Sequence, residues 1–482
     1  MSPRRHVRDA LALGVASAAA LALVVPYFTR RPFWFDELVS IETAGLGPRA
    51  LLEYVFTREA NMALYHAVLA PWLRVGDGEG VVRALSIFFA LASLPFLYAL
   101  GLRLYDRRTA VLAVLLMSVN VSYVGFARDA RGYALVLLLV TASSLYLVRG
   151  VAGGRPRDWT LYAATAALAV WAHQFAGLVV AAQVVWLLLE RRAVQRRQAL
   201  LAVAGVGALL LPLVVAIGVS GQGGQLDWLE RPRARQVPGL FEWFVESSAT
   251  LAVYFAGGVV ALGAGLLEWR RGSAERPRRY VLLLLWLLLP PLAAFAISYA
   301  TEPVYLYRYF LVCLPALVLF VAAGFARLRP VWLGLALAGA AIALSVRTVA
   351  LCQPDCKIRH DEWGAAATHV DARWRPGDAI VVYPREVRTP LDHYLGRERP
   401  RLLYPARWGL VGGADEGAAN LDAAMREVDR HRRVWLVTWW LPSKPARAAL
   451  ASRATLLTAR EFPGNVHVEL YRPNSPSRLR AP

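Results

Sequence analysis

Residues 103–150 read RLYDRRTAVLAVLLMSVNVSYVGFARDARGYALVLLLVTASSLYLVRG. Two apolar runs, 110–126 and 132–148, flank the short polar turn RDARGY (128–133), and basic residues lie at both outer ends. A helix that crosses a membrane needs about 20 mostly apolar residues. The stretch therefore predicts two antiparallel membrane-spanning helices, with arginine-rich loops on one side of the membrane and the turn at 128–133 on the other.

The same alternation of apolar runs and short polar loops continues through most of the chain. Of its 482 residues 57% are hydrophobic and 18% are charged, whereas about 25% of the residues in soluble domains are charged. These features predict a polytopic α-helical membrane protein. We predict eleven spans, near residues 10–28, 83–102, 110–126, 132–148, 159–173, 175–189, 200–219, 250–267, 280–299, 308–325 and 331–349.

The arginines predict the orientation of these spans. The formal charge of +20 does not indicate nucleic-acid binding, because the arginines lie in short clusters between apolar runs. Twenty of them fall in alternate loops, which the positive-inside rule places in the cytoplasm. These loops lie on the same side of the membrane only if the short run 61–73 does not cross the membrane. We therefore predict a cytoplasmic N-terminus, two surface helices near 47–57 and 61–73, and an external C-terminus.

The last part of the chain has a different composition. Residues 351–482 are charged and rich in Pro and Trp, and they follow a transmembrane domain over residues 1–350. DAIVVY (378–383) and RVWLVTWW (433–440) have the pattern of buried strands, and 361–374 and 421–433 that of helices. Alternating helices and strands predict a small α/β domain. Cys352 and Cys356 lie close enough in sequence for a disulfide, although two free thiols are the alternative.

Polar side chains collect at four turns on the predicted external face. Charged residues at membrane depth usually face a partner or a cavity. Four such turns on one face predict a single site at the outer edge of the membrane. Its candidate residues are Asp36 and Glu37 in PFWFDELVS (32–40), Asp129, Arg131 and Tyr133 in RDARGY (128–133), His173 in WAHQF (171–175), and Arg308 and Tyr309 in VYLYRYF (304–310).

This residue set suits transfer of a sugar from a lipid phosphate. A carboxylate such as Asp36 can take a proton from an acceptor hydroxyl. Arginines can hold a phosphate leaving group and offset the charge that develops on it. Paired carboxylates also occur in hydrolysing glycosidases, but those enzymes need no transmembrane bundle.

Each candidate also has a structural interpretation that the sequence leaves open. These are an ion pair of Asp36 with Arg30 or Arg31, a loop-stabilising role for Glu37, pairing of Asp129 with Arg128 or Arg131, a backbone hydrogen bond from His173, contact of Arg308 with lipid headgroups, and an interfacial belt of Tyr305, Tyr307 and Tyr309.

Several segments, in order, resemble the GT-C glycosyltransferases, integral membrane enzymes that use polyprenyl-phosphate sugars. The resemblance lies nearest to the branch of bacterial protein O-mannosyltransferases, aminoarabinose transferases and rhizobial lipopolysaccharide core transferases (glycosyltransferase family 39). It covers residues 10–350 and rests on FWFDELVS, NMALYHAVLAPWLRVGDGEGVVRALS, LYALGLRLYDRRTAVLAVLLMSVN, RDARGYALVLLLVTASSLYL and YRYFLVCLPALVLF.

The resemblance implies roles for the candidate residues. It implies that Asp36 is the catalytic base and that Asp129 is a second acid near the site. Glu37, which follows Asp36 in the sequence, is a further catalytic candidate. Where relatives often begin a motif with a charged His or Lys, this chain has Asn61. Phosphate binding is therefore assigned to Arg131, Arg308, Asn61 and Tyr309, and sugar or acceptor contacts are assigned to Tyr65, Tyr133 and His173.

We predict inverting transfer from a polyprenyl-phosphate sugar to a hydroxyl on a glycolipid, polysaccharide or protein, at the external face of a bacterial inner membrane. Phe33, Trp34 and Phe35 are expected to anchor the loop at the membrane interface. No cofactor is required by this chemistry, but two or three carboxylates leave Mg²⁺ or Mn²⁺ as an alternative. The alternative functions are a lipid or glycan transporter or flippase, which would favour repeated halves and a midplane site, and a polysaccharide polymerase or ligase.

Overall fold

The computed structural model describes residues 3–153, 155–190, 196–220, 229–271, 278–353, 355–357, 361–395, 402–404, 418–439 and 444–474. The chain divides into two compact units. The first, here called the membrane unit, consists of Met1–Phe28 and Val55–Ile358. The second, here called the C-terminal unit, consists of Thr29–Tyr54 and Arg359–Pro482.

The described residues up to Cys352 are almost entirely helical. In chain order its α-helices are α1 Pro3–Val24, α2 Phe35–Ala44, α3 Pro48–Thr57, α4 Ala63–Trp72, α5 Glu79–Leu104, α6 Arg107–Ser118, α7 Val121–Ala127, α8 Tyr133–Val151, α9 Pro156–Ala172, α10 Ala176–Leu189, α11 Arg196–Ser220, α12 Gln236–Val245, α13 Ser248–Arg270, α14 Arg278–Ala300, α15 Leu314–Arg327 and α16 Val331–Cys352.

The eleven apolar runs of the sequence are all helical, which confirms the predicted fold class. Eight described helical segments are long and apolar enough to cross a membrane, and α6 with α7 makes a ninth if the bent pair is one span. The other two runs form α9, with 17 residues, and α10, with 14. Helix α4 has only 10 residues, which is too short to span a bilayer, as the arginine pattern requires.

The run at 110–126 is not one straight helix. It breaks between α6 and α7, whose axes differ by 60°. The cause is Asn120, whose side-chain oxygen accepts hydrogen bonds from the backbone N–H groups of Ser122 (2.9 Å) and Tyr123 (3.2 Å), as an N-cap residue does. Its amide nitrogen also donates to the carbonyl oxygen of Phe244 at 3.1 Å. The break therefore fixes α7 against the end of α12.

Helix α15 is the most buried span of the membrane unit. All its residues from Leu314 to Ala326 are buried, and it packs on α6, α13, α14 and α16. A helix that is apolar on every side is expected at the centre of a bundle. Its preceding segment, Tyr307–Cys313, is a 3-10 helix and carries Arg308 and Tyr309. The centre of the bundle thus directly supports two of the candidate site residues.

The C-terminal unit contains the α/β fold that the sequence predicts. Its later elements are α17 Trp363–Asp371, β1 Asp378–Tyr383, α18 Arg388–Leu395, β2 Leu402–Tyr404, α19 Ala418–Glu427, β3 Arg433–Trp439, α20 Lys444–Ala451, β4 Ala454–Phe462 and β5 Val466–Pro473. The strand order is β2-β1-β3-β5-β4. The first three strands are parallel, and β5 is antiparallel to β3 and β4.

Helices cover both faces of this sheet. Residues of α17 and α18, among them Trp363 and Leu391, pack on one face with Trp435. Residues of α19 and α20, among them Met425 and Leu450, pack on the other face. Because side chains alternate along a strand, both faces of β1 and β3 are buried, and this explains their continuous apolar sequences.

Residues 29–54 pack in the C-terminal unit, although the sequence analysis placed them in the domain of residues 1–350. Helix α2 contacts α18. Phe33 and Trp34 are buried in the protein, with 0% and 6% of their surface exposed. The expectation that these aromatic residues anchor the loop at the membrane interface is therefore wrong for these two, because protein side chains already bury them. The domain boundary near residue 350 stays a prediction.

We predict that Gly324→Ala destabilises the membrane unit. A Cβ atom at Gly324 would lie far inside contact distance of the backbone oxygen of Gly257 in α13, so the two helices would have to separate. Forced overpacking of this kind costs about 1–3 kcal/mol. The control is Gly339→Ala in α16, where a Cβ atom meets nothing within 4 Å. Thermal unfolding in detergent measures both, and equal unfolding temperatures would show that the helices do not pack this closely.

Candidate active site

Three turns of the membrane unit meet at the start of α4. The side-chain oxygen of Asn61 accepts a hydrogen bond from the backbone N–H of Gln174 at 3.2 Å. A Cβ atom at Gly132 would lie 2.9 Å from the carbonyl oxygen of Ala172 and 3.3 Å from side-chain atoms of Met62 and Tyr65. The turns that carry Asn61, Arg131 and His173 are therefore in direct contact, as the single-site prediction requires.

His173 lies in the turn between α9 and α10 and is held in its neutral form. Its Nδ1 atom accepts a hydrogen bond from the backbone N–H of Phe175 at 3.3 Å, so its proton is on Nε2. Burial is the main cause that lowers the pKa of His173 to about 3, and the positive charges of Arg131 and Arg308 lower it further. Nε2 has no hydrogen-bond partner among the described residues. It is thus an N–H donor available to a ligand.

His66 is a second neutral histidine, and the sequence analysis did not identify it. It lies in α4 with 2% of its surface exposed, and neither ring nitrogen has a hydrogen-bond partner within the described part of the chain. Burial and then the charge of Arg131 lower its pKa to about 3. The available signal was a single histidine in the otherwise apolar segment ALYHAVLA, which by itself is more typical of a packed core.

Aromatic rings pack around His173. The ring centroid of His173 lies 5.5 Å from that of Tyr133 and 5.0 Å from that of Tyr309. Phe175 lies 4.7 Å from Tyr309. The guanidinium carbon of Arg308 is 5.9 Å from the centre of the Tyr309 ring. Arg131, Arg308, His66, His173, Tyr133 and Tyr309 together are here called the arginine–histidine cluster.

Asp129 is fully buried beside this cluster. Its backbone carbonyl accepts a hydrogen bond from the N–H of Arg131 at 2.7 Å, which closes the tight turn before α8. The preceding Arg128 is also buried and donates to the side chain of Gln353. Gln353 lies in the loop that the Cys352–Cys356 disulfide closes, so this pair of cysteines is oxidised in the structure. The turn at residues 128–133 is thus held from both sides.

Asp36 and Glu37 lie in the first turn of α2, in the C-terminal unit. Glu37 is fully buried, and its Oε2 atom accepts a hydrogen bond from the backbone N–H of Trp34 at 3.3 Å. The same oxygen lies 3.9 Å from Nη2 of the buried Arg31. Glu37 therefore caps the helix and balances a buried charge, while a direct catalytic role for it stays a prediction. Asp36 is half-buried, and its neighbour Ser40 donates to its backbone carbonyl at 3.0 Å.

The membrane unit thus offers two half-buried guanidinium groups, on Arg131 and Arg308, together with neutral N–H donors and aromatic rings. Guanidinium groups bind phosphate through charge-assisted hydrogen bonds. The half-buried carboxylate of Asp36 is the other reactive group that the sequence predicted. Within the described residues, no group of three or more His, Cys, Asp and Glu side chains is arranged to hold a metal ion.

Comparison with known proteins agrees with this architecture. A sequence model described as dolichyl-phosphate-mannose-protein mannosyltransferase matches residues 62–217, about a third of the chain. The structure of ArnT from Cupriavidus metallidurans in the apo state is similar over 97% of this chain and 98% of that one, with a TM-score of 0.64 and 14% identity. Comparison with curated protein sequences gives no match.

Two further structures have related folds. ArnT from Cupriavidus metallidurans bound to undecaprenyl phosphate is 14% identical over 97% of this chain and 98% of that one, with a TM-score of 0.58. The archaeal oligosaccharyltransferase AglB from Archaeoglobus fulgidus, in complex with an inhibitory peptide and a dolichol-phosphate, is 11% identical over 100% of this chain and 75% of that one, with a TM-score of 0.57.

These similarities define the class of the protein. The chain is a polytopic membrane protein with the GT-C fold, and the resemblance to the GT-C superfamily drawn from its sequence is confirmed at the level of the fold.

We predict that the two neutral histidines make the protein sensitive to acid. A histidine whose pKa in the folded state is about 3 contributes stability that is fully present above its unfolded value near 6.5 and is lost as the pH falls toward 3. Each group costs up to about 1.4 kcal/mol of unfolding free energy per pH unit in that range. Thermal unfolding between pH 7 and pH 4 measures the slope.

The matched variants are His66→Gln and His6→Gln. His66→Gln removes one of the two buried groups and should make the dependence of the unfolding temperature on pH shallower. His6 is exposed at the start of α1, and its substitution should leave the slope unchanged. Equal slopes in His66→Gln and the wild type would mean that His66 takes up a proton as readily in the folded protein as in the unfolded chain.

Proposed function

We propose that this protein is a glycosyltransferase that moves a sugar from a polyprenyl-phosphate donor to a hydroxyl group on a glycolipid, a polysaccharide or a protein. The observation that carries the proposal is the arginine–histidine cluster, where Arg131 and Arg308 both act on the buried ring of His173. Such a concentration of positive charge suits a phosphate group. The binding of undecaprenyl phosphate by ArnT and of dolichol-phosphate by AglB supports the same ligand class.

In this proposal each residue of the cluster has a separate task. Arg131 and Arg308 bind the phosphate and offset the negative charge that grows on it as the sugar leaves. Tyr309 packs beside Arg308 and limits its movement. The Nε2–H group of His173 donates to an oxygen of the donor, and Tyr65 and Tyr133 line the sugar or acceptor. Asn61 has a tethering task, because its side-chain oxygen already bonds to the backbone of Gln174.

Asp36 is proposed as the general base of a single displacement. Its carboxylate takes the proton of the acceptor hydroxyl while that oxygen forms a bond to the anomeric carbon of the sugar. The bond between this carbon and the phosphate oxygen breaks, and polyprenyl phosphate leaves with its electron pair. Because the acceptor attacks from the side opposite to the phosphate, the configuration at the anomeric carbon is inverted. Asp129, which is buried next to Arg131, keeps the turn and its arginine in place.

The orientation belongs to the same proposal. The arginine-rich loops are placed in the cytoplasm of a bacterial cell, and the inner membrane is the bilayer that the chain spans. The turns that carry Asp36, Arg131, His173 and Arg308 then face the periplasm. A polyprenyl-linked donor is held in the membrane by its lipid tail, so its phosphate lies at the depth of these turns.

We predict that Arg131→Gln and Arg308→Gln each weaken the binding of undecaprenyl phosphate by about 10- to 100-fold, because each removes charge-assisted hydrogen bonds to the phosphate. The dissociation constant is measured by native mass spectrometry of the detergent-solubilised protein. Arg233→Gln is the control, since Arg233 is an exposed arginine before α12. A phosphate site at these arginines is rejected if both variants bind the lipid as tightly as the control.

We predict that Asp36→Asn stops transfer without stopping donor binding. Protein purified from cells that make the donor is extracted, and its lipids are identified by mass spectrometry. The wild type should carry free polyprenyl phosphate, the product, and Asp36→Asn should carry the sugar-charged lipid, because the donor binds but the acceptor is not deprotonated. The mass of the charged lipid then identifies the sugar as a hexose, a pentose or another class.

The controls of this experiment are Glu37→Gln and Asp77→Asn. Glu37→Gln removes the capping carboxylate, and it should reduce the yield of folded protein more than it changes the lipid ratio. Asp77 lies in the exposed loop before α5 and should behave as the wild type. Finding only bulk phospholipid in every sample would count against a lipid-phosphate donor and would favour a test of lipid flux.

A further inference from the structure

The segment that carries Asp36 is held by several contacts inside the C-terminal unit. They come from α18, one of the two helices that cover one face of the sheet, and from the last residue of β3. The contacts flank Asp36 on both sides in sequence, at Phe33, Phe35 and Glu42. Because the contacts lie on both sides of Asp36 in the sequence, they hold the start of α2 before and after this residue.

The first contact is a hydrogen bond to the backbone just before α2. The N–H of Phe33 donates to the hydroxyl oxygen of Tyr394 at 2.8 Å, and the Phe33 side chain is fully buried. The ring of His393 packs edge-on against Phe33, with 5.7 Å between centroids. A backbone donor that is buried needs a partner, and here a side chain 361 residues away supplies it.

The second contact is a stack immediately before Asp36. The ring of Phe35 stacks on that of Trp439, with a centroid distance of 4.7 Å and an interplanar angle of 30°. Trp439 is itself fixed, because its indole N–H donates to the carbonyl of Gly464 at 3.1 Å and its ring packs against Trp363. The last residue of β3, Trp439, thus contacts Phe35, which directly precedes the proposed base Asp36 in the sequence.

The third contact lies one and a half turns after Asp36. The hydroxyl of Thr389 in α18 donates to a carboxylate oxygen of Glu42 at 2.7 Å. Burial raises the pKa of Glu42, and the hydrogen bond from Thr389 opposes that change. A half-buried carboxylate is stabilised by a hydrogen-bond donor, and Thr389 supplies that donor from α18. The bond therefore belongs to a packed interface between α2 and α18.

We propose that Tyr394 and Trp439 are positioning residues, through which the C-terminal unit sets the place and direction of the Asp36 carboxylate during sugar transfer. The inference rests on the proposed function of Asp36. A base must approach the acceptor hydroxyl to within hydrogen-bond distance, and small displacements lower the rate strongly. The C-terminal unit then contributes to the transfer step itself.

The test uses the full-length protein and the ratio of sugar-charged lipid to free polyprenyl phosphate that co-purifies with it. Tyr394→Phe keeps the ring and removes the hydroxyl that accepts from Phe33. We expect it to raise the ratio by about 5- to 10-fold over the wild type, the size expected when one buried hydrogen bond is lost. The total amount of bound lipid should change less than twofold. Trp439→Leu removes the stack on Phe35 and should change the ratio in the same direction.

Tyr471→Phe is the matched control. The Tyr471 hydroxyl donates to Glu469 at 2.8 Å in the same unit, so the variant loses a comparable hydrogen bond at a distance in sequence from α2 and α18. It should have the lipid ratio of the wild type. Binding of added undecaprenyl phosphate, measured by native mass spectrometry, should be equal in Tyr394→Phe, Tyr471→Phe and the wild type.

The outcomes separate the positioning role of Tyr394 and Trp439 from the proposed function of Asp36. If Asp36→Asn accumulates the charged lipid but Tyr394→Phe and Trp439→Leu match the control, the positioning role is wrong and the proposed function stands. If both variants lose charged and free lipid together, the contacts are only structural, and the positioning role is also wrong. If Asp36→Asn itself does not accumulate the charged lipid, the proposed function of Asp36 is wrong.

Discussion

The convergence of two arginines on one buried histidine is the constraint on which the rest of the proposed donor site depends. Arg131 and Arg308 come from different turns, yet both charges act on His173, and Arg131 acts on His66 as well. Burial alone disfavours a charged imidazole, and nearby positive charge disfavours it further. Both histidines are therefore neutral, and the guanidinium groups remain the carriers of positive charge. In the proposed function this positive charge binds the phosphate of the donor.

The structure behind each arginine explains why it stays in place. Arg308 lies in the 3-10 segment that leads into the fully buried α15, so its backbone is anchored at the centre of the bundle. Arg131 precedes Gly132, which packs so closely on Ala172 that a Cβ atom there would lie 2.9 Å from its carbonyl oxygen. Neighbouring Arg128 is held through Gln353 by the loop that the Cys352–Cys356 disulfide closes. Rigid support of this kind is what a site requires to stabilise developing charge.

Most of the membrane unit could be predicted from the sequence because apolar runs and alternating arginines report directly on burial in a bilayer. The break at Asn120 could not, since it arises when one side chain satisfies the backbone of the next helix and bonds to Phe244 far away in sequence. In the C-terminal unit the strands β1 and β3 were predicted from their apolar runs, whereas β4 and β5 were missed. The residues of β4 are largely exposed and lack an apolar run, although the positive φ angles of Gly464 and Asn465 in the turn agree with the hairpin.

The candidate site was predictable as a set of turns but not as a set of contacts. Asp36 and Glu37 were equivalent candidates in the sequence. The structure distinguishes them, because the Glu37 carboxylate accepts a hydrogen bond from the Trp34 backbone and pairs with Arg31. The membership of residues 29–54 in the C-terminal unit could not be predicted, since it depends on partners such as Tyr394 that are more than 300 residues away. His66 could not be predicted for a similar reason, because its neutral state depends on burial and on the charge of Arg131, which is distant in sequence.

Asn61 stands where the resemblance implies a positively charged residue, and the structure gives its side chain a different contact. An asparagine cannot bind a phosphate by charge, but its side chain can fix backbone geometry. Here it accepts from the N–H of Gln174, next to His173, and so ties the start of α4 to the turn between α9 and α10. That tether holds α4, with His66, close to the turn that carries His173. In the proposed function Arg131 and Arg308 supply the positive charge, and Asn61 supports the turns that carry the ligand-binding residues.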